Sequence, residues 1–302
     1  MADTLRIRVL GSAAGGGFPQ WNCLCPNCRL AWQGDPRVRP RTQSSLAISA
    51  DGNRWLLLNA SPDLRQQIVA NSCLHPRGAT RQTPIAGVFL TNGDVDHLAG
   101  LLTLREQQAF TIYGSASVLE QTKHGAFAVL NPDLVQRMPV ALEARTDMGL
   151  GFAIRPFAVP GKVPLYLEGD EVAIGEETDT TIGVDIECGA RRVVVIPGCA
   201  EVSSDVLRRV EGADVLFFDG TTFTDDEMVC MGLSQKTAWR MGHCAIDGER
   251  GSLARFAKSN IGQRVYTHIN NSNPILIEDS PERAIVEEAG WIVAHDGLEI
   301  AL

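Results

Sequence analysis

Long apolar runs are missing from this chain of 302 residues, and none approaches the length needed to span a bilayer. Charges at Asp3, Arg6 and Arg8 fall where a signal peptide would carry its apolar centre. These absences predict a cytoplasmic protein with no membrane segment. No cluster of Lys and Arg stands anywhere, and the formal net charge is −9. That balance argues against nucleic-acid phosphate as a partner and favours a small-molecule substrate. Repeats and low-complexity tracts are absent too. What remains is an ordinary globular composition, 44% hydrophobic with a mean hydropathy of −0.02. A chain of this length can bury a full core, and residues 1–302 are expected to form a single domain.

Histidine is scarce, at 6 residues, so each can be weighed. His75, His124 and His295 stand alone, and isolated histidines usually satisfy local hydrogen bonds. His97, His243 and His268 stand in denser polar surroundings. His268 ends an apolar strand and opens the Asn-rich loop Ile269-Asn270-Asn271. The 8 cysteines lack the spacing of a disulfide framework. Cys23, Cys25 and Cys28 cluster, whereas Cys73, Cys188, Cys199, Cys230 and Cys244 are scattered. Without an export signal this favours a metal site plus free thiols.

Strand-like runs fall at Leu5 to Leu10, Ser45 to Ala50, Arg54 to Asn59, Ala86 to Leu90, Phe152 to Val159, Ile182 to Glu187, Arg191 to Ile196, Val215 to Asp219, Arg264 to His268 and Trp291 to His295. Ser61-Pro62-Asp63, Ser203-Ser204-Asp205 and Ser280-Pro281-Glu282 each read as a helix start with Ser as the cap. Apolar residues at helical spacing predict another helix over Leu98 to Gln108. Together these elements predict an α/β sandwich of mixed sheets with helices outside. The acidic stretch Glu168 to Asp179 reads as a solvated loop. Gly11 to Gly17 follows the first strand but leads into Phe18-Pro19-Gln20-Trp21 instead of a helix, so it reads as a tight exposed loop near the site, not as a dinucleotide loop.

Two constellations carry chemistry. In Leu90-Thr91-Asn92-Gly93-Asp94-Val95-Asp96-His97-Leu98-Ala99-Gly100, polar ligand types sit between an apolar strand and a helix, at the strand end where ligands collect in layered α/β proteins. It reads as a metal site, the alternative being an Asn-Gly turn with Asp96 capping a helix. Cys23-Leu24-Cys25-Pro26-Asn27-Cys28 places three thiols in one loop, enough for a tetrahedral Zn²⁺ once a further ligand arrives. Such a closed site would clamp the loop from about Gly15 to Arg41 and be structural; idle thiols or a redox pair are the alternative.

The Thr91 to Gly100 segment resembles the His-x-His-x-Asp-His signature of the metallo-β-lactamase superfamily, with His268 where that superfamily's last histidine stands. Gly11 to Cys28, with Arg41-Thr42-Gln43-Ser44-Ser45, is similar over essentially the whole chain to a narrower family in that superfamily, the B proteins of pyrroloquinoline quinone (PQQ) biosynthesis. The resemblance implies a four-layer αββα sandwich. Departures from the superfamily pattern are informative. Asn92 and Asp94 replace the two leading histidines, Lys162 falls at the third, and the bridging aspartate falls around Gly198-Cys199. The first metal position has thus lost its imidazoles. A second position of Asp96, His97 and His268 survives, with Asp94 and Asp219 as further ligands or hydrogen-bonding supports and His243 as an acid/base group. Two histidines and one carboxylate suit a non-haem Fe(II) that activates O₂. A carboxylate-rich mixed site also accepts Mn²⁺, Zn²⁺, Cu²⁺ or Mg²⁺.

By the same resemblance, the step is hydroxylation of the tyrosine ring of a cross-linked Glu-Tyr intermediate of PQQ synthesis. Two rivals stand beside it: a soluble carrier of PQQ or its precursor towards the periplasm, and a metal-dependent hydrolase. The fourth ligand of the cysteine site is Asn271, which stands three residues after His268 where a relative places a histidine, or another residue.

Overall fold

The computed structural model describes residues 4–169 and 171–302. After β1 (Arg6–Gly11), the long connection carrying the cysteines contains α1 (Pro26–Trp32) and returns as β2 (Ser45–Ser49) and β3 (Trp55–Leu58). Next come α2 (Leu64–Ala70), β4 (Ile85–Phe89), α3 (Val95–Leu98), β5 (Phe110–Gly114), α4 (Ala116–Glu120) and β6 (Val135–Pro139). The second half runs β7 (Thr146–Asp147), β8 (Ala153–Gly161), β9 (Glu176–Cys188), β10 (Arg191–Ile196), α5 (Ser204–Val210) and β11 (Val215–Asp219). It continues through α6 (Glu227–Cys230), α7 (Ala238–Met241), α8 (Ser252–Phe256), β12 (Gln263–Thr267), α9 (Pro281–Glu288), β13 (Trp291–Val293) and β14 (Glu299–Ala301).

The strands make two sheets of seven, in the orders β14-β1-β2-β3-β4-β5-β6 and β13-β12-β11-β10-β9-β8-β7. Each is mixed: β3 to β6 are parallel neighbours in the first sheet, and β10 to β13 in the second. One apolar cluster lies between the sheets, built from both by Ile7, Ile48, Phe89, Val184, Val195 and Phe217. Two more lie on the outer faces, one under α2, α3 and α4, the other under α5, α8 and α9. Each large side chain buried there contributes roughly 1.5–3 kcal/mol. The result is the αββα sandwich expected. No helix among the described residues is long and apolar enough to cross a membrane.

Local readings met competing forces. Ser203 and Ser280 do cap α5 and α9, accepting the N–H groups of Val206 and Arg283. Ser61 does not cap α2, which starts at Leu64. The Ser61 hydroxyl is buried without a hydrogen-bond partner, and Asp63 instead accepts the Gln43 backbone and side-chain N–H groups, both at 2.9 Å. The helix expected over Leu98 to Gln108 is a four-residue α-turn followed by a 3₁₀ segment, Ala99–Leu104. Tertiary contact decides this: the Gly100 N–H donates to the Ala60 carbonyl at 2.8 Å, and a Cβ on Gly100 would lie 2.2 Å from the Ser61 oxygen. The acidic stretch is not a solvated loop throughout, because Glu176 to Asp179 open β9 and Glu168 is held by cations; Asp170 lies outside the described residues. The strands β5, β6, β7 and β14 carry too weak an apolar pattern to be read alone, as the single buried residue of β6, Val135, illustrates.

Candidate metal centre

Strand carboxyl ends from both sheets converge on one edge of the sandwich. β4 leads into Asn92 to His97, β8 into Lys162, β10 into Cys199, and β12 into His268, while Asp219 is the last residue of β11. The strands hold these positions rigidly while the side chains reach the cleft. His268 adopts φ of 55°, a left-handed conformation uncommon for a non-glycine residue and typical of functional positions.

Ligand atoms of Asp96, His97 and His268 lie within 4.8 Å of one another. The Asn92 Oδ1 accepts the His97 Nδ1–H at 2.6 Å, which fixes the tautomer and leaves the Nε2 lone pair free. That Nε2 is buried and has no hydrogen-bond partner, standing 3.7 Å from Asp96 Oδ2. The Thr221 hydroxyl donates to Asp219 Oδ1 at 2.6 Å and takes the His268 Nδ1–H at 2.9 Å. His268 Nε2 then faces Asp96 Oδ2 at 3.1 Å. The Nε2 atoms of two imidazoles and a carboxylate oxygen thus converge, a donor set that suits a divalent cation. Burial lowers the His97 imidazole to about 4 despite Asp96. On His268 burial acts the same way, but the hydrogen bond to Asp96 together with the charges of Asp96, Asp219 and Asp94 outweighs it, and the group shifts up. Asp96 is raised by burial and lowered more strongly by His97 and His268, ending well below the usual carboxylate range.

His243 follows α7, which ends on Gly242 at φ of 88° with Lys162 so near that a Cβ would lie 3.0 Å from its Cγ. Only glycine meets both demands. The His243 ring stacks on His268 at 5.2 Å and its Nδ1–H donates to Asp219 Oδ2 at 2.7 Å. Asp219, His243 and His268 form a second group of close ligand atoms, yet both Asp219 oxygens are spent on Thr221, His243 and the Cys199 N–H. Asp219 is therefore placed to orient His243. Asp94 caps α3 without a side-chain bond and stands outside both groups. Burial and the neighbouring Asp96 push its carboxyl up, Lys162 opposing.

Three positions that depart from the superfamily pattern, Asn92, Lys162 and Cys199, make polar contacts of their own. Asn92 buttresses His97, and the Lys162 ammonium binds Glu168 at 2.9 Å. The Cys199 thiol is buried, donates to the Glu201 carbonyl at 3.0 Å, and is pushed up by that burial. Of the lone histidines, His75 bonds the Val69 carbonyl, His124 pairs with Glu120, and His295 bonds the Asp296 carbonyl. Gly15 of the first loop packs beside Asp96, where a Cβ would lie 3.5 Å from the carboxyl carbon.

Cys23, Cys25 and Cys28 form a buried group of their own. The hydrogen bond from Cys28 outweighs burial and lowers Cys25 to about 5. Asn271 closes the fourth corner, its amide nitrogen 3.2 Å from Cys23 Sγ, 3.3 Å from Cys28 Sγ and 3.6 Å from Cys25 Sγ. A half-turn of the amide would present oxygen instead. Sequence reasoning missed the supporting residues Thr221 and Glu227. Glu227 accepts the Ser272 hydroxyl and the Phe223 N–H, and Ser272 lies 45 residues away with no local signal to link them.

The β-lactamase superfamily domain matches residues 54–269. The coenzyme PQQ synthesis protein B of Methylorubrum populi is 57% identical over 299 residues, covering 99% of this chain and 100% of that protein. The protein of the same name from Xanthomonas campestris is 50% identical over 303 residues, with 99% and 100% covered. A crystal structure of Zn²⁺-bound PqqB from Methylobacterium extorquens superposes with a TM-score of 0.97 at 56% identity, covering 98% of this chain and 100% of that one. Similarity that runs from end to end of these proteins, through both the cysteine loop and the Asp96 cluster, leaves one conclusion: the chain belongs to the coenzyme PQQ synthesis protein B family of the β-lactamase superfamily.

Proposed function

We propose that this protein catalyses an iron- and O₂-dependent hydroxylation of the tyrosine ring of the cross-linked Glu-Tyr intermediate in PQQ biosynthesis, one oxygen atom entering the ring and the other leaving as water with two electrons from an external reductant. The observation that carries the proposal is the convergence of the His97 and His268 Nε2 atoms on the Asp96 carboxylate. A hydrolytic pair of metals is disfavoured by the hydrogen bonds that already occupy Asn92 and Lys162. Bound there by Asp96, His97 and His268, Fe(II) would supply the one-electron chemistry that lets O₂ react with a ring.

The remaining work falls to the chain. Asn92 and Thr221 hold the two ligating rings in the tautomer that presents Nε2. Asp219 takes the His243 Nδ1–H, leaving Nε2 of that ring to accept the phenolic proton of a substrate in the cleft. The same carboxylate stabilises the imidazolium that results. The zinc-holding role goes to Cys23, Cys25 and Cys28, with Asn271 at the fourth corner, and their function is to fix the loop from which Gly15 reaches Asp96.

Anaerobic reconstitution with Fe(II), followed by isotope-labelled O₂, a two-electron reductant and the cross-linked substrate, tests the proposal by mass spectrometry. Label in the ring, abolished by H97A and H268A, is the expected result. A variant lacking either histidine that still hydroxylates would sink the assignment. Tight PQQ binding without turnover would favour a carrier, and two active-site metals per chain would favour a hydrolase.

A further inference from the structure

His243 also lines a cavity of about 410 Å³, a size suited to a small molecule. Its other walls bring together an aromatic face, a cation and carboxylates: Trp239, Arg250, Glu201, Asp225 and Asp247. Arg250 lies over the Trp239 ring at 6.0 Å and pairs with Glu201 at 3.1 Å. That pair is weakly held, since the Arg250 and Glu201 side chains are 76% and 42% exposed. Asp225 gives one oxygen to the Trp239 N–H at 2.8 Å, which fixes the start of α7 and so the ring's position. Asp247 is exposed, and its carboxylate makes no hydrogen bond or ion pair among the described residues.

We propose that this cavity recognises the amino-acid end of an aromatic zwitterion. Arg250 takes the carboxylate, Asp247 and the free oxygen of Asp225 take the ammonium, and Trp239 covers one face of the ligand. Glu201 pairs with Arg250, standing where the ligand's carboxylate goes, and is displaced on binding. A guanidinium matches a carboxylate in fork geometry, which an exposed side-chain partner held at surface strength cannot prevent. The inference rests on the hydroxylation reading, because it is the aromatic ring of such a ligand that must extend past Trp239 to His243. Arg250, Asp247 and Trp239 are on this view the residues that select the substrate.

Calorimetric titration of the metal-loaded protein with L-tyrosine, tyramine and desaminotyrosine separates the contacts. R250Q should weaken L-tyrosine and desaminotyrosine by roughly tenfold or more and leave tyramine, which lacks the carboxylate, unchanged. D247N should weaken L-tyrosine and tyramine and spare desaminotyrosine, which lacks the ammonium. E201Q should tighten binding of the two carboxylate ligands, a change of sign that a merely structural pair would not produce. Unchanged affinities in R250Q and E201Q would overturn the proposal, even with hydroxylation intact. The expected affinities without any labelled oxygen in the ring would uphold the cavity assignment and remove the hydroxylase.

Discussion

Replacing Asn92 with Ala tests whether this residue supports the metal position proposed at Asp96, His97 and His268. In the structure its Oδ1 accepts the His97 Nδ1–H at 2.6 Å and the Asp94 N–H at 3.0 Å, and it is 6% exposed. Removing such a partner of a ligating histidine lowers metal affinity by roughly ten- to hundredfold, about 1.4–2.7 kcal/mol. Thr91 Oγ1 stands 3.5 Å from the same His97 nitrogen and can accept part of the orphaned N–H, so the lower part of that range is expected. The metal-free fold should weaken too, by about 1–3 kcal/mol, because buried donors lose their acceptor. N92D keeps an acceptor and should restore affinity. The assay is a competition titration with Co²⁺ at the Asp96 cluster, with thermal melts of the metal-free variants measured alongside. Metal held at the cysteine site serves as an internal control, expected to be unaffected. Wild-type affinity in N92A, within about threefold, would refute the reasoning, since the range given for losing such a partner starts at tenfold.

Three further expectations follow from other parts of the molecule. Burial pushes the Glu227 carboxyl from 4.5 up to about 7, so the folded protein holds a proton that the unfolded chain releases. Stability from this group is therefore present below pH 4.5 and lost as pH rises to about 7, a cost of about 3 kcal/mol that E227Q should remove, flattening the stability profile in denaturant titrations across that window. Ser280→Ala removes the cap of α9, where the hydroxyl accepts the Arg283 N–H at 3.0 Å, and should cost about 1 kcal/mol, read as a fall in Tm of roughly 2–4 °C. Cys28→Ser should release the zinc of the cysteine site to a chromogenic chelator and expose residues 15–41 to limited proteolysis; a variant retaining both zinc and protease resistance would count against a clamping role.

Much of the site was legible because metal ligation depends on a few residue types that announce themselves. Asp96 and His97 are adjacent in sequence, and the cysteines fall within one loop, so their identity needed no tertiary knowledge. Likeness to the superfamily signature then exposed the missing histidines at Asn92, Asp94 and Lys162. Where the reading failed, a long-range partner had intervened. Ser61 has the residue type and spacing of a cap, but Asp63 is drawn away by Gln43 and the chain is pinned against Gly100. Glu168 looks like one acid in a solvated run, yet its side chain is 9% exposed and held by Lys162, Lys236 and Arg240. A favourable ion pair across 72 residues leaves no mark on the local pattern.

By itself, the sequence determined ten of the fourteen strands, the caps at Ser203 and Ser280, and which residue types could bind metal, because those depend on periodicity and on chemistry carried by single side chains. Only the tertiary structure decided what each of those side chains does. It turned Asn92 towards His97, spent Asp219 on His243 and Thr221, and set Asn271 against the three thiols. The reason is physical: a ligand's tautomer, a lone pair's direction and a carboxylate's remaining capacity are set by hydrogen bonds to partners far away in the chain, and such bonds exist only once both sheets have closed over their shared core.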